Sequence, residues 1–214
     1  MSEVHIIDNF LNKYEQNLLN TYLSGRKILW KYDKSPSGPN VKKLSLKQKE
    51  IFFENEIFTW QIYINRNYKT TQIEMDAENN LEVLKLFEHK LYKYLPFNFE
   101  ILRLQAHIGI PNSTFNGLGM TPHVDVPYEL NDFENYNVYN LVYYCNDSTG
   151  DTVIFKEQID TPIPEIETVL AKVSPKKGTA VVFNGHNYHS GGVSTTNTRK
   201  VINLNFISKD KFTM

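Results

Sequence analysis

At Pro96 the hydropathy pattern changes from a spacing of three and four residues to a period of two, and no other feature constrains the fold as much. Upstream, Phe10, Leu11, Tyr14, Leu18, Tyr22 and Leu23 recur at helical spacing behind a cap at Asp8 or Asn9, with Gly25 as the stop. A second helix is predicted from a cap at Asp76 to Pro96, with Leu81, Leu84, Leu91 and Leu95 on its buried side. Ile57 to Ile64 reads as a strand between them, and Ser35 to Asn40 as a loop on its Pro, Gly and Ser content. Downstream, alternation predicts strands at Glu100–Ile108, Val138–Cys145, Thr152–Lys156, Thr179–Asn184 and Arg199–Ser208. Helices first and strands afterwards define an α+β, mainly β chain.

The 214 residues fit one domain, a helical and mixed part over about 1–96 and a β core over about 97–210. The 13% aromatic share suits a strand-rich interior. A net charge of −1 gives no global basic balance for a phosphate backbone and argues against a nucleic-acid partner. The lysine run at Lys42, Lys43, Lys47 and Lys49 reads as a solvated surface. Cys145 is the one cysteine, so no internal disulfide forms. With no signal peptide and no long apolar run, the sequence implies no membrane partner and a cytoplasmic location, the host cytoplasm if phage-encoded.

Chemistry concentrates in the β half. His123 and Asp125 are two residues apart, so on a strand they share a face and can hold one ion from one side. A second imidazole comes from Asn184-Gly-His-Asn-Tyr-His-Ser-Gly-Gly192, where His186 competes with His189. His189 is preferred because an arginine-initiated strand follows it. Two histidines and one carboxylate cap one face of an octahedral Fe(II) and leave three positions open. Zinc accepts the same set with a water, so the ligands alone do not name the metal. In the last strand Arg199, Val201, Asn203 and Asn205 share one face, while Ile202, Leu204 and Phe206 share the other. A guanidinium facing the site can take a carboxylate bidentately.

Taken in order, His123-Val-Asp125, Leu141-Val-Tyr-Tyr-Cys-Asn146, Gly150-Asp-Thr-Val-Ile-Phe155, Gly178-Thr-Ala-Val-Val-Phe183, His189 and Arg199 resemble the Fe(II)- and 2-oxoglutarate-dependent dioxygenases. The resemblance is strongest to prolyl-4-hydroxylase-like members of small phage and bacterial type. It implies a double-stranded β-helix, a jelly-roll and cupin relative, with the N-terminal helices flanking it. It implies His123, Asp125 and His189 as iron ligands and Arg199 as the partner of the distal carboxylate of 2-oxoglutarate. Tyr144 would hydrogen-bond the same carboxylate, and Asn140 shares its strand face. Arg103, Gln105 and His107 on the upstream strand, with Asn203, would line the pocket.

The implied cofactors are Fe(2+), 2-oxoglutarate and O2, and the implied reaction is hydroxylation of a C–H bond coupled to conversion of 2-oxoglutarate to succinate and CO2. The substrate favoured by the resemblance is a protein or peptide side chain such as proline, or else a small molecule. Lids are expected at Ile110–Thr121 and Val126–Asn137; the second carries Glu129, Asp132 and Glu134 as an acidic flank, with Tyr128, Phe133 and Tyr136 as aromatic contacts. Two departures narrow the reading. Collagen-type prolyl hydroxylases commonly use lysine where Arg199 stands, and nucleic-acid demethylases carry a second arginine where Asn205 stands. The rival readings are a redox-inert cupin-like metal or small-ligand binding protein, a structural β-sandwich, and a nucleobase-modifying dioxygenase.

Overall fold

A computed structural model describes residues 4–25, 28, 30–33, 44–52, 57–64, 77–95, 98–125, 136–159 and 161–213. The loop read at 35–40, Lys42, Lys43, Asp76, Pro96 and residues 126–135 of the second lid lie outside them.

In chain order the described elements are β1 (Val4–Ile7), α1 (Lys13–Leu23), β2 (Lys31–Asp33), α2 (Leu46–Ile51), β3 (Ile57–Ile64), α3 (Ala77–Leu91), β4 (Phe99–Gly109), β5 (Asn137–Tyr144), β6 (Thr152–Gln158), β7 (Val169–Val173), β8 (Ala180–Asn184), β9 (Asn187–Ser190) and β10 (Arg199–Ser208). Seven strands form one sheet in the order β1-β8-β5-β10-β4-β3-β2, and three form a second in the order β7-β6-β9. All named pairings are antiparallel.

β10 lies at the centre of the large sheet, between β4 and β5, and its two faces explain the layers. Ile202, Leu204 and Phe206 are fully buried against Phe10, Leu11, Leu19, Phe87, Leu91 and Leu95 from the helical side. The Phe87 ring meets Tyr143 edge-on at 5.8 Å, and truncating a side chain like Phe87 to alanine costs about 3–5 kcal/mol. Val201, on the opposite face, packs with Val142, Tyr144, Val181 and Phe183 against Ile154 and Val173 of the small sheet. Helices therefore cover one face of the large sheet and the small sheet covers part of the other. The space between the sheets receives the odd-numbered residues of β10 from Arg199 to Asn203.

Three elements differ from the sequence expectation. Helix α1 begins at Lys13, not Phe10, because Asn9 takes a left-handed conformation (φ 53°) and turns Phe10 and Leu11 into the core first. The cap is Asn12, in a reciprocal box with Glu15. Asp8 instead accepts a hydrogen bond from Thr179 at the start of β8. That shift of frame leaves Tyr14 exposed and buries Leu19. On α3, Val83, Phe87 and Leu91 form the buried stripe and Leu81 is exposed. The lysine run conceals helix α2, whose Ser45–Gln48 box is its start signal. Lys47 and Lys49 do lie exposed on it, while Gln48 turns inward to donate to the carbonyls of Ile163 and Ile166. Among the described residues no helix is long and apolar enough to cross a membrane.

Candidate metal centre

His123 and His189 are brought together by backbone, not by side-chain affinity. Each donates its amide to the other's carbonyl at 3.0 Å, a single antiparallel bridge that adds residue 123 to the edge of the small sheet beside β9. The approach requires Gly119, because a Cβ there would press on Ser190 Oγ and the Gly191 carbonyl. Met120 seals the contact by donating its amide to Gly191 and accepting from the Ser190 hydroxyl. The two imidazole centroids then stand 4.5 Å apart. Asp125 reaches the same point, with its oxygens 3.7 Å from His123 Nε2 and 3.5 Å from His189 Nε2. One donor atom from each of the three lies within 4.8 Å of the others. His186 sits in the turn between β8 and β9 and is not part of this group.

The protonation pattern suits a cation. His123 Nδ1 lies 3.0 Å from the Thr121 carbonyl, which can only accept, so the proton sits on Nδ1 and the Nε2 lone pair faces Asp125. His189 Nε2 is buried without a hydrogen-bond partner, an unmet lone pair of the kind a metal satisfies. Burial, then the neighbouring His189, lowers the His123 pKa and keeps that imidazole neutral. Burial alone would raise the Asp125 pKa, but Arg103 and the two imidazoles outweigh it and hold the carboxyl well below its usual value. Cis donors of an octahedral ion with bonds near 2.1 Å stand about 3 Å apart. The observed separations need only a small contraction, so the residues fit a divalent ion.

The three groups line one wall of a cavity of about 140 Å³ between the sheets. Arg199 lines the same cavity and is 8% exposed. Its Nε donates to the Gly150 carbonyl at 3.1 Å and its Nη2 to Thr152 Oγ1 at 2.7 Å. Among the described residues no carboxylate lies within ion-pair distance of it. Burial lowers its pKa, with Tyr144 and Asp151 acting the other way. Arg103, Gln105, His107 and Asn203 also line the cavity. His107 Nε2 and Asn203 Oδ1 are buried there without hydrogen bonds, and burial followed by Arg103 lowers the His107 pKa to about 4.

Tyr144 and Asn140 fall behind the cavity wall, not among its lining residues. The Tyr144 hydroxyl donates to Thr152 Oγ1 at 2.8 Å, and its ring lies 5.7 Å from the Arg199 guanidinium carbon. Tyr144 thus reaches the arginine end through Thr152. Asn140 lies two register steps away, where its Oδ1 accepts from Asn205 beside Asp125. Shared strand parity with Tyr144 therefore does not place it at the same end. Sequence reasoning missed Thr152; its signal was parity within Thr152-Val-Ile154, which aims residues 152 and 154 inward.

Comparison with known proteins places the fold. No protein-family profile matches the sequence, and no curated protein is similar to it. Solved structures do share its architecture. A 2OG-Fe(II) oxygenase family protein from Burkholderia pseudomallei superposes with a TM-score of 0.60 at 12% identity, over 98% of this chain and 86% of that one. A prolyl hydroxylase from Trichoplax adhaerens, in complex with a hypoxia-inducible-factor peptide, gives 0.54 at 15% identity, over 96% and 84%. A non-haem α-ketoglutarate-dependent epimerase of nogalamycin biosynthesis gives 0.56 at 10% identity, over 97% and 78%. The chain has the double-stranded β-helix fold of these oxygenases.

Proposed function

We propose that the protein is an Fe(II)- and 2-oxoglutarate-dependent dioxygenase that hydroxylates a C–H bond, with a protein or peptide side chain such as proline as its substrate. The observation that carries this reading is Arg199. A buried guanidinium held only by neutral oxygens, in one cavity with two imidazoles and a carboxylate, lacks an anionic partner that a dicarboxylate would supply. A redox-inert metal-binding module would give that arginine nothing to do. The peptide-bound hydroxylase among the structural neighbours supports the substrate class.

His123, Asp125 and His189 would hold Fe(II), which when bound supplies oxygen activation and the oxidative decarboxylation of 2-oxoglutarate to succinate and carbon dioxide. The chain's own residues bind and orient. Asp125 is ionised at neutral pH, and each histidine offers Nε2. Arg199 would neutralise the distal carboxylate, with Thr152 beside it holding the guanidinium plane. Val142, Val201, Met120 and Ile57 line the cavity with apolar surface and exclude water from the reacting groups. No protein acid or base is needed.

Oxygen-free addition of Fe(II) and then 2-oxoglutarate tests the co-substrate: a weak visible charge-transfer band is expected, and its absence would sink the reading. Succinate release stimulated by proline-containing peptides tests the substrate class. Stimulation by free amino acids or oligonucleotides instead would reassign it.

A further inference from the structure

We infer that Arg103 and Asn205 form a clamp that restricts Asp125 to a single ligating oxygen; this rests on the metal-binding reading above. Arg103 Nη2 lies 2.9 Å from Asp125 Oδ1, and Arg103 Nε donates to Asn205 Oδ1 at 2.8 Å. Asn205 Nδ2 donates back to Asp125 Oδ2 at 3.3 Å and to Asn140 Oδ1. The four groups close a ring across three adjacent strands, since Asn205 pairs with Arg103 of β4 on one side and with Asn140 of β5 on the other. A bulge follows at once, where Phe206 pairs with Ile101 and skips Leu102, and bulges re-aim neighbouring side chains.

Chemistry fixes the direction of every bond in the ring. A guanidinium has donors only, so the oxygen of Asn205 must face Arg103 and its amide nitrogen must face Asp125. The two carboxylate oxygens are then unequal. Oδ1 already carries a full positive charge at 2.9 Å, whereas Oδ2 carries only a neutral amide at 3.3 Å. A divalent ion is drawn to the less encumbered Oδ2, the oxygen nearer His189. The carboxylate then occupies one coordination position instead of two, and three remain for co-substrate and oxygen. Without Arg103 both oxygens become free to close on the ion and take a position that 2-oxoglutarate needs.

The test uses Co(II) as a spectroscopic stand-in on the full chain, with R103M, R103K and N205A beside the wild type. The wild type is expected to bind Co(II) and to change its visible spectrum when 2-oxoglutarate is added. R103M should bind Co(II) at least as tightly, because a competing cation has gone. Its spectrum should already differ before co-substrate is added, and it should need about 10–100-fold more 2-oxoglutarate. R103K should lie between them, since an ammonium has no fork to span Asp125 and Asn205. N205A should show a milder loss of about five-fold. If the wild type binds no Co(II), the metal reading fails and takes the clamp with it. If the wild type responds but R103M loses Co(II) and 2-oxoglutarate affinity together, or matches the wild type in both, the clamp alone is overturned. Should R103M not fold, R103K and N205A decide by the same criteria.

Discussion

Two buried arginines face one cavity, and they are balanced in different ways. Arg103 has a carboxylate at 2.9 Å and an amide oxygen at 2.8 Å, both from this chain. Arg199 is held by a backbone carbonyl and a threonine hydroxyl, and among the described residues no acid pairs with it. Burying an unpaired cation is costly, and the cost persists only where a ligand or a function offsets it. The contrast separates an arginine that serves the protein's own carboxylate from one suited to a visiting carboxylate. It also gives the cavity two ends that should fail separately.

Removing a ligand should produce the largest effect. H189A should lower metal affinity and turnover by more than about 100-fold, beyond the 10–100-fold typical of residues that only support ligands. Calorimetric Co(II) titration measures it. Affinity within ten-fold of the wild type would remove His189 from the metal end. At the other end, R199M should weaken 2-oxoglutarate by about 2–5 kcal/mol, at least roughly 30-fold in its KM, with Co(II) affinity unchanged. The comparison sharpens in the ligand-free protein. R103M strands Asp125 as an uncompensated charge and should lose about 3 kcal/mol of stability, whereas R199M removes such a charge and should hold or raise the melting temperature. Melting curves of the same sign and size for both would erase the distinction.

The arginine end was easier to read in sequence than the metal end's supports. Ten alternating residues of β10 place Arg199 and Asn203 on the cavity face and Ile202, Leu204 and Phe206 in the core, because one long strand buried on both faces keeps its parity. The short elements were less legible. β9 has four residues and β7 five, so neither carries enough alternation to stand out from a turn. β1 is equally short and is defined by its partner β8. The pairing of Arg103 with Asp125 depends on a loop and a bulge that bring β4 beside residue 125, and periodicity does not encode that approach. Helix α2 was legible in principle from Ser45 and Gln48, but the flanking lysines drew attention to charge. The first turn of α1 was misplaced because no propensity scale anticipates a left-handed Asn9.

Between the two ends, His107 supplies a pH test of intermediate size. Burial and Arg103 lower its pKa in the folded protein to about 4, while in the unfolded chain it takes a proton near 6.5. Below about pH 6.5 the unfolded state therefore binds a proton that the folded state refuses. Stability is fully present above 6.5 and falls as pH drops toward 4, by up to about 3 kcal/mol. Thermal melts across that window, in the presence of a chelator, should show the decline, and H107Q should flatten it. His123 is shifted in the same direction, so some slope should remain in H107Q. A wild-type melting temperature that rises on acidification would contradict the buried, neutral imidazole.

The smallest effect asks whether the ends are truly separate. Thr152 touches only the arginine end: its hydroxyl accepts from Arg199 Nη2 and from the Tyr144 hydroxyl. T152V keeps the shape and deletes that junction. Tyr144 retains the Val173 carbonyl at 3.3 Å and Arg199 retains the Gly150 carbonyl, so neither donor is stranded completely. The loss should be that of one hydrogen bond, about 1 kcal/mol or roughly five-fold in 2-oxoglutarate affinity. Co(II) affinity should not move, because no atom of the imidazole–carboxylate group depends on the threonine. An equal fall in both affinities would mean that the small sheet transmits strain from β6 through its pairing of Ile154 with His189, and the two arginines would then belong to one coupled site.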